Sequence, residues 1–458
     1  MDYDVIVIGA GPGGYNAAAL TAKNGKKTAV IEAQQAGGTC LNRGCIPTKA
    51  LLCCAEAYAS IEGMAKMGVH ASSVSYRYEE MASYKDSVVS RLRSGTQHFI
   101  KQSGATLITG QAAFLDAHTV MVDGKQITAE NIIIATGSEP FIPPIKGANH
   151  PRVISSTQAL ALKEAPKSIV IIGGGVIGYE FATLYASLGV KVTILEMLPS
   201  LLNGFDSDVT AYALAMMQQQ GVNVHTLAKV EEILPDGDGI KCVFTTDAGQ
   251  TEVLAEMCLV ATGRKPVLSG LGLENAGVKL AREGYIEVNE KMQTNIMGIY
   301  AIGDVAGKIQ LAHVASAQAH IAASNILGDT QLYLDPPIPA CVYGAPEIAS
   351  VGLTQQQAEM QGIPIVTGKA AASGNGRMLS MNETEGFAKF IADARTGAVL
   401  GCHIVAPSAT EMIAGIAGAM KLECTIHEIS HTVFPHPTVS ELLLDAAQNA
   451  EYLLKKGL

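Results

Sequence analysis

The sequence is poor in charge and lacks long apolar runs. Charged residues make up only 16% of its 458 residues, and the net charge is −10. That sign excludes an ordinary nucleic-acid-binding protein, which needs clustered lysine and arginine to neutralise phosphates. No apolar run approaches membrane-spanning length, and a strand-like run begins almost at Met1, so we expect neither a leader nor a membrane segment.

Cysteine is also scarce. The nine cysteines form no dense disulfide framework, and their odd number leaves at least one thiol free. This usage is typical of a reducing compartment, so we expect a cytoplasmic protein. With 48% hydrophobic residues, the chain is long enough to bury large cores in several domains.

Two cysteines lie close together in the stretch Gly37–Lys49, which reads GGTCLNRGCIPTK. A disulfide needs Cα atoms roughly 4.4–6.8 Å apart, whereas residues five apart in a straight helix are separated by about 8.7 Å. Cys40 and Cys45 therefore require a distorted turn. We expect it to lead into a helix that begins near Pro47, buries residues 50–52 and lowers the pKa of the Cys45 thiol.

Three other interpretations of these cysteines compete with a redox disulfide. Plant-type iron–sulfur ligation needs a cysteine where Thr48 stands. A zinc site of Cys40, Cys45, Cys53 and Cys54 is disfavoured because adjacent cysteines rarely face one tetrahedral centre. Two unrelated buried cysteines remain an alternative on these residues alone. We interpret Cys40 and Cys45 as a redox disulfide because of the motifs elsewhere in the chain.

The N-terminal segment has the pattern of a dinucleotide-binding unit. An apolar run, Asp4–Ile8, precedes a glycine turn, Gly9–Gly14, an alanine-rich helix and a second run, Thr28–Ile31. The glycines allow a tight turn and a close approach to a pyrophosphate at the helix N-terminus. Glu32, 18 residues after the last glycine, is placed to accept a ribose hydroxyl. The run Ile132–Gly137 would return the chain to this site.

The whole pattern occurs a second time. Ser168–Ile172, the glycine turn Gly173–Gly178, a helix and Val192–Leu195 repeat the order, and Glu196 again lies 18 residues after the last glycine. Leu259–Gly263 repeats the returning run. Two complete units predict two bound dinucleotides. A carboxylate with no basic residue in the next three positions favours NAD over NADP at the second site.

Two further motifs carry chemistry. Asp304 follows Gly303 after a short strand-like run, which suits a polyol or ribityl chain, although a plain turn explains the pair nearly as well. In the C-terminal part, His436 lies between two prolines. If a helix begins near Thr438, Glu441 could orient its imidazole as an acid–base pair. We interpret the other ten histidines, His427 among them, as surface or packed residues.

These motifs together resemble the flavin-dependent disulfide oxidoreductases. The resemblance covers essentially the whole chain and implies an α/β fold with two Rossmann-like dinucleotide-binding domains and a C-terminal α+β dimerisation domain. The implied segments are 1–145 and 269–336 for FAD, 146–268 for NAD, and 337–458 for the dimer interface.

The resemblance also implies the ligand-binding residues. Those for FAD are Gly9, Gly11, Gly14, Glu32, Lys49, Gly110, Thr136, Gly137, Ser138, Asp304, Gln310, Leu311, Ala312 and His313. Those for NAD are Gly173, Gly175, Gly178, Glu180, Glu196, Val230 and Gly263. The implied catalytic residues are Cys40, Cys45, Lys49, His436 and Glu441. No metal site is implied.

The implied reaction oxidises a protein-bound dihydrolipoyl group and reduces NAD+ to NADH. A dihydrolipoyl thiolate, deprotonated by His436, would attack Cys40 and release Cys45 towards the flavin. The histidine would come from the partner subunit of a homodimer. The lipoyl group would belong to another protein, either the acyltransferase core of a 2-oxo acid dehydrogenase complex or the lipoyl carrier of the glycine cleavage system.

Two alternatives keep the same scaffold. The enzyme could act on another disulfide substrate, although glutathione-type reductases carry basic residues where Glu196 stands. A subunit of a different class could keep the fold without turnover, as a structural or metal-binding module. Retention of both cysteines, Lys49 and the His436–Glu441 pair argues against the second alternative.

Overall fold

A computed structural model describes residues 1–307, 309–334 and 336–457. It divides into two compact units. Unit 1 consists of Met1–Ala50, Ala82–Phe141 and Gly263–Asp335, and unit 2 consists of Leu51–Met81, Ile142–Thr262 and Pro336–Leu458. No helix in the described part of the chain has both the length and the apolar character needed to cross a bilayer.

The secondary structure alternates strands and helices in both units. The strands are β1 (Tyr3–Ile8), β2 (Thr28–Glu32), β3 (Thr106–Thr109), β4 (Ala112–Phe114), β5 (Thr119–Val122), β6 (Lys125–Ile134), β7 (Ser138–Pro140), β8 (Val153–Ser155), β9 (Ser168–Ile172), β10 (Lys191–Leu195), β11 (Asn223–His225), β12 (Lys229–Asp236), β13 (Gly239–Thr246), β14 (Gly249–Ala255), β15 (Met257–Val260), β16 (Arg264–Pro266), β17 (Ile299–Ala301), β18 (Ala340–Val342), β19 (Ile348–Gly352), β20 (Ile365–Ala371), β21 (Phe387–Asp393) and β22 (Val399–Val405). The α-helices are α1 (Pro12–Lys23), α2 (Gly38–Arg43), α3 (Cys45–Met64), α4 (Tyr78–Gln102), α5 (Ser156–Ala159), α6 (Val176–Ser187), α7 (Ser207–Gln219), α8 (Leu273–Ala276), α9 (Ala312–Ile326), α10 (Gln355–Met360), α11 (Gly376–Ser380), α12 (Ala409–Lys421), α13 (Ile426–Ser430) and α14 (Glu441–Lys456). Short 3-10 turns cover Ala65–Met67, Gly303–Ala306 and Ala372–Gly374.

The main sheet of unit 1 is mostly parallel, with two antiparallel strands at one end. Its strand order is β3-β2-β1-β6-β5-β4, and β17 also pairs with β6. Strand β6 serves two parts of the sheet, since its first half pairs antiparallel with β5 and its second half pairs parallel with β1 and β17. The carboxyl ends of β1, β2, β6 and β17 therefore meet at one edge, where ligands bind in open α/β sheets.

Apolar runs explain the burial of this sheet. Val5, Val7 and Ile133 are fully buried on one face, against residues of α1 and α9 such as Ala17 and Ala319. The other face packs against the antiparallel strands and the segment around Leu273. Strands that are covered on both faces consist of consecutive apolar residues, and the sequence has such runs at these strands.

Unit 2 contains a second parallel sheet, in the order β11-β10-β9-β15-β8. An antiparallel sheet, β12-β13-β14, packs against it, with Phe244 and Cys242 buried between them. The C-terminal part forms a five-stranded antiparallel sheet, β18-β19-β22-β21-β20, packed against α12 and α14. The α/β class is confirmed, while the division of the sequence into four segments remains a prediction.

Candidate active site

The cysteine stretch packs against the first glycine turn in unit 1. The Gly37 amide donates to the Ala10 carbonyl at 2.8 Å. At Gly38, φ is +61°, and an added Cβ would lie 2.6 Å from the Cα of Gly11. Only glycine tolerates both this backbone conformation and this approach. The two glycines before Cys40 thus place its helix, α2, directly beside the turn that opens α1.

The helix breaks between the two cysteines, as their spacing required. Helix α2 ends at Arg43, and α3 begins at Cys45, two residues earlier than we expected from Pro47. The break at Gly44 is bridged by Thr48, whose hydroxyl donates to the Gly44 carbonyl at 2.6 Å. The expected burial of residues 50–52 is confirmed, because they are 1–8% exposed.

The two thiols are coupled to each other. No disulfide joins them in the structure, and the Cys40 thiol is hydrogen-bonded to Cys45. That hydrogen bond and burial raise the pKa of Cys40 well above its ordinary value, while the positive charge of Lys49 acts in the opposite direction. This shift favours the protonated form of the Cys40 thiol.

The first glycine turn leaves room for a pyrophosphate. Helix α1 begins after Gly11 without a side-chain cap, so its first N–H groups are available to an anion. A Cβ on Gly14 would lie 1.8 Å from the Gly9 carbonyl oxygen, which explains why the turn can be this tight. These residues fit the phosphates of a dinucleotide.

Glu32 lies at the end of β2, beside the turn. Its two carboxylate oxygens accept from the backbone amides of Ala10 and Gln34, each at 2.8 Å. These bonds fix the carboxylate next to the glycine turn and leave lone pairs for a ribose. Gly110, which follows β3 in the sequence, donates its amide to the Glu32 carbonyl at 3.0 Å.

A polar network connects the ends of β6 and β17. The Ser138 hydroxyl donates to the Asp304 carboxylate at 2.5 Å. Arg264 donates to the Ser138 hydroxyl and carbonyl, both at 2.7 Å. Thr136, just before Gly137, donates to the Val267 carbonyl at 2.8 Å. The predicted Gly-Asp pair is thus tied to the predicted returning segment.

Arg264 was not identified from the sequence. Burial lowers the pKa of its guanidinium, and the charges of Asp304 and Cys45 oppose that shift. A single arginine after a glycine carries no motif of its own. Its position directly after the second returning run, Leu259–Gly263, is the only signal that could have pointed to it.

The segment from Gln310 to His313 forms a second uncapped helix start in unit 1. Leu311 is extended and precedes α9, whose N-terminus lacks a side-chain cap. The Gln310 amide nitrogen is buried, and no hydrogen-bond partner for it lies in the described ranges 1–307, 309–334 and 336–457. A buried donor without a partner is expected where a ligand supplies the acceptor. Ala312 and His313 form the first turn of α9.

The second glycine turn, in unit 2, repeats the geometry of the first. Helix α6 begins after Gly175 without a side-chain cap. A Cβ on Gly178 would lie 1.9 Å from the Gly173 carbonyl oxygen. Glu196 follows β10 directly, and its carboxylate accepts from the amides of Gly174 at 2.5 Å and Leu198 at 2.7 Å. This turn also fits a dinucleotide pyrophosphate.

The remaining predicted NAD residues are spread more widely. Glu180 is 3% exposed on α6 and accepts from the Tyr343 amide at 3.1 Å. Val230 lies on β12. Gly263 belongs to unit 1, where it precedes β16. The structure thus groups the glycine turn and Glu196 closely and leaves the role of the other three as a prediction.

His436 and Glu441 form the predicted pair in unit 2. The His436 Nδ1 lies 2.9 Å from the Glu441 carboxylate, and the histidine side chain is 79% exposed. Helix α14 begins at Glu441, three residues later than expected, yet the pairing is made. The Thr438 amide and His436 hydrogen-bond to this carboxylate and lower its pKa.

Comparison with known proteins gives the family. The pyridine nucleotide-disulphide oxidoreductase model matches residues 3–319, and the dimerisation domain of the same family matches residues 338–447. The chain belongs to this family. Its members among curated proteins include the dihydrolipoyl dehydrogenases of Geobacillus stearothermophilus, 38% identical over 98% of this chain and 96% of the relative, and of Thermus scotoductus, 39% identical over 97% of each.

Solved structures agree. The HOCl-induced flavoprotein disulfide reductase RclA from Escherichia coli is 31% identical, with a TM-score of 0.88 over 97% of this chain and 99% of the other. LpdA from Mycobacterium tuberculosis has a TM-score of 0.90 at 28% identity, over 97% of this chain and 99% of the other. As a member of the pyridine nucleotide-disulphide oxidoreductases, the chain is a flavoprotein oxidoreductase that uses FAD and NAD(H). It carries the dimerisation domain of a homodimer.

Proposed function

We propose that this oxidoreductase is a dihydrolipoyl dehydrogenase, which oxidises protein-bound dihydrolipoamide to lipoamide and reduces NAD+ to NADH. The observation that carries the proposal is the cysteine pair at the helix break, packed on the first glycine turn of unit 1. Near-complete coverage of the curated dihydrolipoyl dehydrogenases supports the choice of substrate.

Oxidation of the substrate is a disulfide exchange. With Cys40 and Cys45 joined as a disulfide, a dihydrolipoyl thiolate attacks the Cys40 sulfur and expels Cys45 as a thiolate. The second substrate thiolate then displaces Cys40 and closes the lipoyl ring. Two substrate S–H bonds are lost and the dithiol is formed, so the pair carries two electrons. FAD, when bound at the first glycine turn of unit 1, would supply the two-electron chemistry that connects the dithiol to NAD+.

The residues around the cysteine pair influence which of the two sulfurs carries the negative charge. Because hydrogen bonding and burial raise the pKa of Cys40, the expelled negative charge stays on Cys45, while Arg264 and Lys49 add positive charge nearby. In unit 1, the turn that opens α1, Glu32 and the Ser138–Asp304–Arg264 network would hold FAD. In unit 2, the turn that opens α6 would hold NAD.

His436 would accept the substrate proton. Its imidazole is held by Glu441 and is exposed in the isolated chain, which supports a role at the dithiol of the other subunit in the homodimer. The lipoyl group would arrive on a second protein, either a 2-oxo acid dehydrogenase core or a glycine cleavage carrier. We place this activity in the cytoplasm because the cysteine usage is that of a reducing compartment.

The test is an anaerobic titration of the FAD-loaded homodimer with dihydrolipoamide, followed in the visible spectrum. We expect a long-wavelength thiolate-to-flavin band in the wild type, its loss in Cys45→Ser, and NADH formation once NAD+ is added. Cys53→Ser, a change at an exposed cysteine on α3, is the matched control and should behave like the wild type. A flavin that NADH reduces but dihydrolipoamide does not would refute the proposal.

A second candidate substrate class follows from the likeness to the E. coli disulfide reductase. The same scaffold would then run in reverse, with NADH reducing the cysteine pair and the pair reducing another disulfide. NADH-dependent turnover of a panel of low-molecular-weight disulfides separates the candidates. Turnover of such a disulfide in the absence of any reaction with lipoamide would favour the reductase.

A further inference from the structure

One cluster of histidines lies outside the machinery described so far. Residues 427–431 read His-Glu-Ile-Ser-His, and the two histidines are four positions apart at helix α13. This spacing places two imidazoles on one face of a helical turn, as in the His-Glu-x-x-His zinc pattern. The ring centroids of His427 and His431 are 4.1 Å apart, so the structure brings the pair together.

A third ligand type completes the cluster. Glu451, on the neighbouring helix α14, lies 2.8 Å from the Nδ1 of His427 and 3.8 Å from the Nδ1 of His431. One ligand atom from each residue lies within 4.8 Å of the others. Two histidines and a glutamate are a known zinc ligand set that leaves the fourth position open for water.

We infer that His427, His431 and Glu451 form a binding site for a divalent transition-metal ion such as Zn²⁺. The two imidazoles are more than half exposed, and the Nδ1 of His431 lies 2.9 Å from the His427 carbonyl and 3.0 Å from the Ser430 hydroxyl. The Glu451 side chain is only 10% exposed and accepts from the Ser430 hydroxyl at 2.8 Å. A bound ion would replace hydrogen bonds that these side chains now make with one another.

The carboxylate is already prepared for a cation. Lys455 lies 2.8 Å from the same Glu451 oxygen that His427 contacts. A bound divalent ion would displace the ammonium group of Lys455, which is free to move because its side chain is 65% exposed.

The site is a binding site and not a hydrolase centre. In zinc peptidases the glutamate of this pattern is the general base. Here Glu428 is used otherwise, since its carboxylate accepts from the Thr425 amide at 2.7 Å and hydroxyl at 2.5 Å and caps α13. With the base engaged in capping, the ion would lock α13 against α14 and would not activate water for hydrolysis.

The experiment is calorimetric titration of the oxidised, FAD-loaded homodimer with Zn²⁺ after accessible thiols have been alkylated, so that cysteines do not bind the ion. We expect one Zn²⁺ per chain. Loss of one of three ligands should weaken binding at least about tenfold in His427→Gln and His431→Gln. Lys455→Gln, which removes the competing ammonium group, should instead tighten binding.

Two variants serve as matched controls. Glu428→Gln lies inside the motif but outside the ligand set, and His98→Gln changes an exposed histidine on α4. Both should bind Zn²⁺ like the wild type, and Co²⁺ in the wild type should give the visible spectrum of a four-coordinate ion. Absence of uptake by the wild type, or unchanged binding in His431→Gln, would overturn the inference. Neither outcome bears on the dihydrolipoyl dehydrogenase assignment.

Discussion

The two dinucleotide units begin with the same elements and differ in the elements that follow the returning strand. Both begin with a strand, an uncapped helix of 12 residues and a glycine whose Cβ would collide with a carbonyl oxygen. The amide that follows the returning strand donates to the end of the first strand at 2.8 Å in each, from Ala135 to Ile8 and from Ala261 to Ile172. The strand, the glycine turn and the helix are therefore a repeated module.

The difference lies beyond the returning strand. In unit 1, β17 pairs with β6 and brings Asp304 to Ser138 and Arg264, and the cysteine helix packs on the glycine turn. In unit 2, β15 pairs instead with β8, whose end is capped into α5 by Ser155. The strand, glycine turn and helix are therefore repeated, and we propose that the elements added in unit 1 supply the redox chemistry.

The largest expected effect comes from the same substitution made in each turn. Gly14→Ala and Gly178→Ala both force a Cβ to within 2 Å of a carbonyl oxygen. Overpacking costs about 1–3 kcal/mol or more, and a contact this short belongs at the upper end of that range, so each should weaken its own ligand at least about 100-fold. Gly14→Ala should purify with little flavin, whereas Gly178→Ala should keep its flavin and show a raised KM for NAD+. The flavin absorbance per chain and steady-state kinetics measure the two effects.

Gly95→Ala, at a helical glycine on α4 where an added Cβ meets open space, controls for a general effect of alanine. If both turn variants lost flavin equally, the assignment of one cofactor to each unit would be wrong.

A smaller effect should follow from removal of the element unique to unit 1. Arg264→Met deletes two hydrogen bonds to Ser138 and leaves Asp304 without its cation. Hydrogen bonds to charged groups contribute about 1.5–3 kcal/mol, so FAD affinity should fall about 10- to 100-fold. The NAD+ dissociation constant should stay unchanged. Fluorescence titration of the flavin-free protein with FAD measures the loss.

Lys265→Met is the matched control for that variant. Lys265 is adjacent, and its ion pair with Glu139 at 3.2 Å is more than half exposed on both sides. Exposed pairs contribute about 0–1 kcal/mol, so FAD affinity should change little. Equal losses in the two variants would mean that the buried network does not hold the flavin.

The smallest effect concerns the choice between NAD and NADP in the second unit. Glu196→Gln removes the negative charge that would repel a 2′-phosphate. The ratio of kcat/KM for NAD+ to that for NADP+ should fall about tenfold, which corresponds to removal of about 1.4 kcal/mol of like-charge repulsion. Glu252→Gln, an exposed glutamate on β14, should leave the ratio unchanged. An unaltered ratio in Glu196→Gln would place the discrimination elsewhere.

The His436–Glu441 contact could be predicted from the residues next to it in the sequence. The prolines around His436 and the acidic Glu441 predicted an acid–base pair, and a 2.9 Å contact is present even though the helix begins later than expected. Short-range geometry of this kind depends on a few adjacent residues and survives an error in a helix boundary.

The sequence by itself determined the elements that depend on local chemistry. Both glycine turns, their strands and helices, the break between Cys40 and Cys45 and the α/β class follow from glycine content, apolar runs and cysteine spacing. Each is set by residues within about one strand-turn-helix unit, where backbone sterics and side-chain periodicity decide the outcome.

Groupings of side chains that are distant in the sequence are visible in the tertiary structure and could not be predicted from local patterns. The Ser138–Asp304–Arg264 network joins positions more than a hundred residues apart, and the two histidines at α13 meet Glu451 some 20 residues later. The spacing of His427 and His431 is visible in the sequence, but their meeting with Glu451 and the Ser138–Asp304–Arg264 network leave no periodic signal, because they arise from helix packing and sheet register.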